Sequence, residues 1–266
     1  MRIAIIADVH ANLLALRAAL EDAERRCVDR IVCLGDVVGY NSAPRETIAV
    51  LRSIGVEAVQ GNHDLMATGL AEPLQCGPNA RRAIQWTRQV LGAEELDYLS
   101  SLPERILFEG EILLLHSALG DPWVYLHASD QYREQFTAIR ESYPAAQICL
   151  TGHTHVRTVV EVSPAGQVRR LRPSQTQLAP DSFYFLNPGS VGHPRQDDYR
   201  ASYAIYDSNS RVVAFRKVSY DRRRVRRENG NCAIYTDLGP SVLRRQWSAA
   251  RRGLRRLMRR VTMATQ

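Results

Sequence analysis

The sequence predicts an α/β fold, and two patterns along its 266 residues support that prediction. Residues 1–64 alternate short, apolar, β-branched runs with amphipathic segments, a pattern typical of parallel strands covered by helices. After residue 155 the apolar runs follow one another through short polar turns, which is typical of antiparallel hairpins. The chain is therefore expected to combine a parallel part with helical cover and an antiparallel part.

The first half of the chain is interpreted as a series of strands and helices. The predicted order is strand 2–8, helix 10–26, strand 29–36, helix 42–55 and strand 56–64. Leucine and alanine at helical spacing indicate the first helix, and Ser42 followed by Pro44 indicates the start of the second. Residues 77–101 are also predicted to be helical and to form a cap-like insertion.

The second half is predicted to add strands and one helix. Buried strands are expected at 109–118 and 146–156, with a helix at 130–142 between them. The hairpin-connected strands are expected at 158–172, 181–192, 201–210 and 211–220. The globular domain is therefore predicted to cover residues 1–220.

The composition is that of an ordinary globular protein, with 45% apolar residues. Its five cysteines are scattered and form no C-x-x-C pair, which indicates reduced thiols in a cytoplasm. No secretory signal opens the chain, and no apolar run approaches the roughly 20 residues of a membrane span. A cytoplasmic location is expected, and contact with the inner membrane surface is left open.

The net charge of +7 comes from the C-terminal part of the chain. Residues 1–220 carry 22 basic and 25 acidic side chains, whereas residues 221–266 carry 13 basic and 3 acidic ones. We therefore predict an Arg-rich extension at 221–266. Within it, residues 241–266 are predicted to include an amphipathic helix, which could dock on the domain, lie on an anionic membrane or bind nucleic acid.

Residue types that bind metals recur at the ends of the predicted strands. They occur in Asp8-Val9-His10, Gly35-Asp36, Gly61-Asn62-His63-Asp64, the single His116, and Gly152-His153-Thr154-His155. Because sites in open α/β sheets form beyond the carboxyl ends of the strands, we expect these segments to meet in one place.

The number and type of these side chains predict two metal ions. Residues two apart in an extended strand point to the same side, so Asp8 with His10 and His153 with His155 could each share an ion. Asp36 has two oxygens and could bridge a pair of ions about 3.5–4 Å apart. The full predicted ligand set is Asp8, His10, Asp36, Asn62, His116, His153 and His155. Nitrogen and oxygen ligands without thiolate suit Mn, Fe, Co, Ni or Zn, and the oxygen content favours Mn or Fe.

These motifs also carry a family resemblance. The pieces DVHAN, GDVVGY, GNHD, LLLHS, GHTH and NPGSVG resemble the calcineurin-like metallophosphoesterases, above all their compact bacterial and archaeal phosphodiesterase branch. They cover residues 1 to about 220 in the expected order. The resemblance implies a four-layer sandwich of two mixed β-sheets flanked by helices. It also implies one metal at Asp8, His10, Asp36 and His155, and another at Asp36, Asn62, His116 and His153.

The resemblance implies metal-dependent hydrolysis of phosphate esters, as a phosphodiesterase or phosphatase acting on a small phosphorylated molecule such as a nucleotide. A metal-bridging hydroxide would attack phosphorus, and His63 would be the general acid. Asp64 would orient His63 and raise its pKa. Asn12 and Asn187 are candidate substrate contacts, with a cap or turn role as the alternative for each. The alternative function is a metal-bound, non-catalytic scaffold, recruited to a partner, membrane or nucleic acid by the tail.

Three departures from the family pattern are expected to matter. Ala11 and Ser117 stand where glycine is frequent, so a positive φ there would be strained. GDVVGY lacks the Asp-Arg-Gly of the phosphoprotein phosphatase branch, so the phosphate-binding arginine of that branch is missing at this point. His193 is expected at the edge of the pocket and not among the ligands.

Overall fold

Two six-stranded mixed sheets lie at the centre of the computed structural model, which describes residues 1–195, 198–232 and 234. The first sheet consists of β1 (Arg2–Ile6), β2 (Arg30–Cys33), β3 (Glu57–Ala58), β9 (Gln175–Gln177), β11 (Ala201–Asp207) and β12 (Val212–Val218). Its order is β3-β2-β1-β11-β12-β9. The strands β1, β2 and β3 run parallel, and the remaining pairs are antiparallel.

The second sheet is also mixed. It consists of β4 (Arg105–Phe108), β5 (Ile112–Leu115), β6 (Ile148–Leu150), β7 (Thr158–Val162), β8 (Val168–Leu171) and β10 (Phe183–Asn187). Its order is β4-β5-β6-β10-β7-β8, with β5, β6 and β10 parallel. The strand predicted at 181–192 is therefore not part of a hairpin, because the chain leaves β10 for β11 in the other sheet.

Seven helices lie in the described part of the chain. They are α1 (Leu13–Glu24), α2 (Pro44–Ser53), α3 (Asn62–Thr68), α4 (Pro78–Val90), α5 (Ala93–Ser101), α6 (Ser129–Ser142) and α7 (Arg222–Asn231), with a short 3-10 helix at Pro73–Gln75. Side chains of α1, α2 and α5 pack on the first sheet. Tyr132 and Ile139 of α6 pack on the second sheet.

The alternation of side chains along the strands creates the four layers. In β1, Ile3 and Ile5 belong to the core between the two sheets, whereas Ala4 and Ile6 belong to the core beneath the helices. Fully burying one such isoleucine contributes about 1.5–3 kcal/mol. The predicted four-layer sandwich of two mixed sheets flanked by helices is confirmed.

Several element boundaries differ from the predictions. The strand predicted at 56–64 is limited to β3, and Asn62 begins α3 instead of ending a strand. The short strands β4 and β9 were not predicted. Residues 77–101 form two helices, of which α5 packs on the first sheet through Leu99 and does not stand apart as a cap.

The helix α7 follows β12 directly, within the compact unit formed by residues 1–234. Its Asn229 donates a hydrogen bond to Asn41 Oδ1 at 2.9 Å, and Asn41 donates to the carbonyl of His10 at 2.8 Å. The boundary after residue 220 stays a prediction. The helix predicted in 241–266, with its membrane and nucleic-acid alternatives, lies outside the described residues. Among the residues described, no helix is long and apolar enough to cross a membrane.

Candidate metal centre

The seven predicted ligands come together at one edge of the two sheets. Four of them, Asp8, His10, Asp36 and His155, offer donor atoms that all lie within 4.8 Å of one another. A second group within the same limit contains Asp36, His116 and His153, so Asp36 belongs to both. Asn62 Oδ1 lies 3.0 Å from His116 Nε2, which places the amide beside the second group. Each of the seven is at most 4% exposed.

These side chains come from both sheets. Asp8 and His10 follow β1 and Asp36 follows β2, in the first sheet. His116 follows β5, and His153 and His155 follow β6, in the second. The carboxyl ends of these parallel strands meet at the same edge of the sandwich, as the sequence pattern predicts.

The backbone at the ligands is not the extended strand that the two-residue spacing suggested. Asp8 has φ 52°, His10 φ 49°, Asp36 φ 53°, His153 φ 62° and His155 φ 59°. Left-handed conformations at residues other than glycine cost about 1–3 kcal/mol each and persist only where the surroundings enforce them.

The loops after β1 and β2 enforce that backbone on each other. His10 N donates to Asp36 O at 2.8 Å, and Ala11 N donates to Val37 O at 2.8 Å. Ala11 itself has φ 54°, so the strain expected at this position is present, whereas Ser117 is not among the described residues with positive φ.

The ring nitrogens of three histidines have defined roles. His10 Nδ1 donates to Val38 O at 3.1 Å, His116 Nδ1 to Leu34 O at 2.7 Å, and His155 Nδ1 to His193 O at 2.6 Å. Each of these rings therefore presents Nε2 as a lone pair. His153 is turned the other way, because its Nε2 donates to Trp123 O at 3.1 Å and leaves Nδ1 as the free acceptor.

Two of these lone pairs face each other without a proton between them. His10 Nε2 lies 3.1 Å from His155 Nε2. The single N–H of each neutral ring is at Nδ1 and donates to a backbone carbonyl. Two donor atoms about 2.1 Å from one ion at a right angle lie about 3 Å apart. The spacing therefore fits two ligands of a shared cation, with their second nitrogens fixed by carbonyls as is usual for metal-bound histidine.

The two buried carboxylates also fit a cation. Asp8 Oδ2 is buried without a hydrogen-bond partner, and burial raises the pKa of Asp8 to about 8. Burial, followed by the nearby Asp64, raises the pKa of Asp36 well above its usual range. His10 Nε2 and His116 Nε2 lie 3.6 and 3.5 Å from oxygens of Asp36. Since burial lowers the pKa of His10 well below its usual range, the His10–Asp36 contact is not a salt bridge. A divalent cation would supply the missing positive charge.

Metal binding should therefore be visible as a gain in stability. Adding Mn²⁺ to the metal-free protein at about 100 times its dissociation constant is expected to raise the midpoint of thermal unfolding by about 5–10 °C. Differential scanning calorimetry would measure the shift, with Mg²⁺ and chelator as controls. Unfolding midpoints that stay the same with saturating Mn²⁺, Fe²⁺ and Zn²⁺ would contradict a metal centre here.

His63 lies in the same cleft, with its ring centroid 4.7 Å from that of His10. Burial lowers the pKa of His63 well below its usual range, and His116 and Arg195 add to the effect. Its Nδ1 is buried without a partner beside Gly39, where an added Cβ would lie only 2.3 Å from that nitrogen. Gly39 has φ 91°, so this close approach needs glycine for both conformation and space. The ring therefore presents Nε2 to the cleft.

The expected effect of Asp64 on His63 is not observed. The carboxylate of Asp64 accepts hydrogen bonds from Val38 N at 3.1 Å and from Gly61 N at 3.0 Å. Asp64 thus ties the loop of Asp36 to the start of α3, and the pKa of His63 is lowered and not raised. His63 is held instead through its own backbone N–H, which donates to Asp36 Oδ1 at 2.8 Å.

Asn12 and Asn187 have the cap and turn roles. Asn12 Oδ1 accepts from Ala15 N at 3.1 Å as the N-cap of α1, and its amide donates to Gly192 O at 2.9 Å. Asn187 donates to Thr154 Oγ1 at 3.1 Å and accepts from Gly189 N at 2.9 Å. Both amides are committed to loops and neither residue lines the cleft, and their contact with substrate stays a prediction.

The cleft above the two groups has a volume of about 120 Å³. Its lining includes seven residues that were not predicted as site residues: Tyr40, Cys76, Gly77, Ala80, Trp123, Tyr125 and Arg195. His193 stacks on Tyr40 with ring centroids 4.2 Å apart, and its position at the pocket edge stays a prediction. In the sequence, the three aromatic lining residues and Arg195 could have been found as the tyrosine that ends GDVVGY, the two aromatic residues in DPWVY and the arginine two positions after His193.

Comparison with known proteins shows similarity to calcineurin-like phosphoesterases in both sequence and structure. A sequence profile of the calcineurin-like phosphoesterase superfamily domain matches residues 1–211. An uncharacterized protein of Methanocaldococcus jannaschii is 32% identical over 224 residues, covering 82% of this chain and 88% of that protein. The crystal structure of a metallophosphoesterase from Sphaerobacter thermophilus has a TM-score of 0.74 at 35% identity, covering 91% of this chain and 97% of that one. A symmetrical bis(5′-nucleosyl)-tetraphosphatase of Aromatoleum aromaticum is 35% identical over 101 residues, 36% of each protein.

Proposed function

Because this chain belongs to the calcineurin-like phosphoesterase superfamily, we propose that it hydrolyses phosphate esters with the help of two divalent metal ions. One observation carries the proposal. The unprotonated nitrogens of His10 and His155 face each other at 3.1 Å beside two buried carboxylates, one of which is shared with a second ligand group. The open cleft beside these groups, with His63 in its lining, supports an enzyme over a metal-bound scaffold.

The ligand groups define which residues would hold each ion. Asp8, His10, Asp36 and His155 would hold the first, and Asp36, Asn62, His116 and His153 would hold the second. When bound, such ions supply a water of lowered pKa as nucleophile and positive charge for the phosphoryl oxygens. The nitrogen and oxygen donors favour Mn or Fe, with Zn, Ni and Co as alternatives.

His63 is the candidate donor to the leaving oxygen. Its Nδ1 is buried against Gly39, so the ring can reach a substrate only through Nε2, on the side of the cleft. The negative charge of a bound phosphate raises the pKa of a neighbouring imidazole, which allows the ring to carry the proton that the leaving oxygen needs. Asp64 contributes by tying the loop that carries Asp36 to the start of α3, which carries Asn62, through the backbone hydrogen bonds described above.

The substrate class is a small phosphorylated molecule. The cleft is large enough for a phosphoryl group and part of its leaving group. The partial match to a dinucleoside tetraphosphatase supports nucleotides as candidates. The cleft lies at the loop ends of the sandwich, where α3 and the start of α4 form its wall.

The direct test is hydrolysis of p-nitrophenyl phosphate and bis-p-nitrophenyl phosphate by the purified chain with Mn²⁺. Turnover that requires the metal, and that chelator abolishes, is expected for at least one of the two substrates. Parallel calorimetry would show whether metal is bound. Metal binding without turnover on either substrate, with Mn²⁺, Fe²⁺, Co²⁺, Ni²⁺ or Zn²⁺, would overturn the enzyme proposal and favour the scaffold.

A further inference from the structure

Arg195 is a cation in the cleft that belongs to neither ligand group. Its guanidinium carbon lies 5.6 Å from the centre of the Tyr125 ring, and Nη1 donates to the Tyr125 hydroxyl at 3.3 Å. Within residues 1–195, 198–232 and 234, no carboxylate lies within 4.0 Å of the guanidinium. Arg195 is thus oriented by a phenol while its charge stays available to a ligand.

The cleft therefore carries more positive charge than the ligand groups require. Two divalent ions held by Asp8 and Asp36 already leave an excess of positive charge for one phosphoryl group. Arg195 adds a further fixed charge in the same cleft. A surplus of this kind favours a substrate with more negative charge than a single ester phosphate.

Burial separates Arg195 from the ligand groups in depth. The ligands form the floor, each at most 4% exposed, whereas Arg195 is half-buried and Tyr125, which orients it, is 42% exposed. A phosphate on the floor of the cleft would contact the bound ions and Asn62. Arg195 lies nearer the rim, where a group attached to that phosphate would emerge.

The aromatic rings around Arg195 are not free to stack on a base. One face of Tyr40 is covered by His193 at 4.2 Å, and His63 lies 4.7 Å away at an angle of 35°. Tyr125 packs against His153 at 4.1 Å and beneath Arg195. Neighbouring side chains thus occupy the rings of Tyr40 and Tyr125, although both residues line the cleft.

We propose that Arg195, positioned by Tyr125, binds the phosphate adjacent to the one held on the floor of the cleft, so that the site selects phosphoanhydrides over isolated phosphate esters. The inference rests on the proposed function and specifies its substrate class. In the reaction, water adds to the phosphorus on the floor and the bridging P–O bond breaks. The departing phosphate keeps the electron pair, and one proton passes to solvent.

The test measures binding to the metal-loaded protein by isothermal titration calorimetry, with two ligands that cannot be hydrolysed at the bridge. Methylenediphosphonate has the second phosphoryl group and methylphosphonate lacks it. Wild type is expected to bind the diphosphonate at least about tenfold more tightly. Arg195→Gln is expected to weaken diphosphonate binding by about 10- to 100-fold and methylphosphonate binding by less than about threefold.

Two further variants sharpen the result. Tyr125→Phe keeps the ring but removes the hydroxyl that orients the guanidinium, so it should weaken diphosphonate binding several-fold with little change for methylphosphonate. Arg25→Gln removes an exposed arginine of the same charge outside the cleft and should change neither affinity. Metal content and unfolding midpoint should match wild type in all three variants.

Two outcomes would overturn the inference. If Arg195→Gln lost the same factor in affinity for both ligands, Arg195 would bind the phosphate on the floor of the cleft. If wild type bound the two ligands with equal affinity, the site would have no preference for a second phosphate. Either result is compatible with continued metal-dependent hydrolysis of p-nitrophenyl phosphate by wild type. Failure of the proposed function itself would appear separately, as the absence of that hydrolysis.

Discussion

Replacing Asp36 by Asn is expected to lower kcat/KM by at least about 1,000-fold, equivalent to about 4 kcal/mol of transition-state stabilisation. Asp36 is the one side chain common to both ligand groups among the residues described. Its oxygens lie 3.6 Å from His10 Nε2 and 3.5 Å from His116 Nε2, one on each side. The amide keeps the shape but loses the charge and one acceptor, so it cannot bridge two cations.

Metal analysis by inductively coupled plasma mass spectrometry should show that Asp36→Asn binds fewer ions than wild type. The matched control is Asp97→Asn, the same chemical change at an exposed position of α5, which should keep full metal content and activity. A variant at position 36 that retains two ions and more than a tenth of the wild-type rate would exclude the bridging role.

Replacing His63 by Ala is expected to keep the metals but slow hydrolysis according to the leaving group. With an alkyl phosphate, whose leaving oxygen needs a proton, kcat should fall by about 100-fold or more, because general acids contribute about 10²–10⁴-fold. With p-nitrophenyl phosphate, whose leaving group departs as an anion, the loss should stay below about tenfold. The ring is placed for this role by Gly39, which leaves Nε2 on the side of the cleft.

The comparison needs both substrates measured on the same protein preparations, together with metal content. His127→Ala serves as the control, since His127 is exposed and does not line the cleft. Its substitution should leave the ratio of the two rates unchanged. A uniform loss on both substrates in His63→Ala would argue that His63 shapes the centre and does not donate a proton.

The clustering of the candidate ligands could be predicted because parallel strands end at a common edge. Asp8, Asp36 and His116 each follow a short apolar strand, and the sheet brings those ends together whatever the details of the loops. The four-layer architecture was predictable from the resemblance and from the change in strand pattern after residue 155. The weak points were β4 and β9, which are three or four residues long and largely exposed or half-buried.

The orientation of side chains within the loops could not be predicted in the same way. Asp64 adjoins His63 in sequence, but backbone N–H groups of Val38 and Gly61 hold its carboxylate. Arg195 depends on Tyr125, which comes from a segment 70 residues away in the chain. Contacts of this kind arise from the packing of distant loops, and neither residue spacing nor composition reports them.

The hydrogen bond from α7 to Asn41 affects where the chain can be truncated without weakening the loop of His10. The family profile ends at residue 211, before β12, whereas Asn229 lies 18 positions further along and supports Asn41, which in turn holds the carbonyl of His10. A fragment that ended at residue 211 would expose the edge of β11 that pairs with β12. It would also lack the hydrogen bond from Asn229 to Asn41. Substitutions in α7 could therefore alter how firmly the loop of His10 would hold a metal ion, although no described residue after 211 belongs to either ligand group.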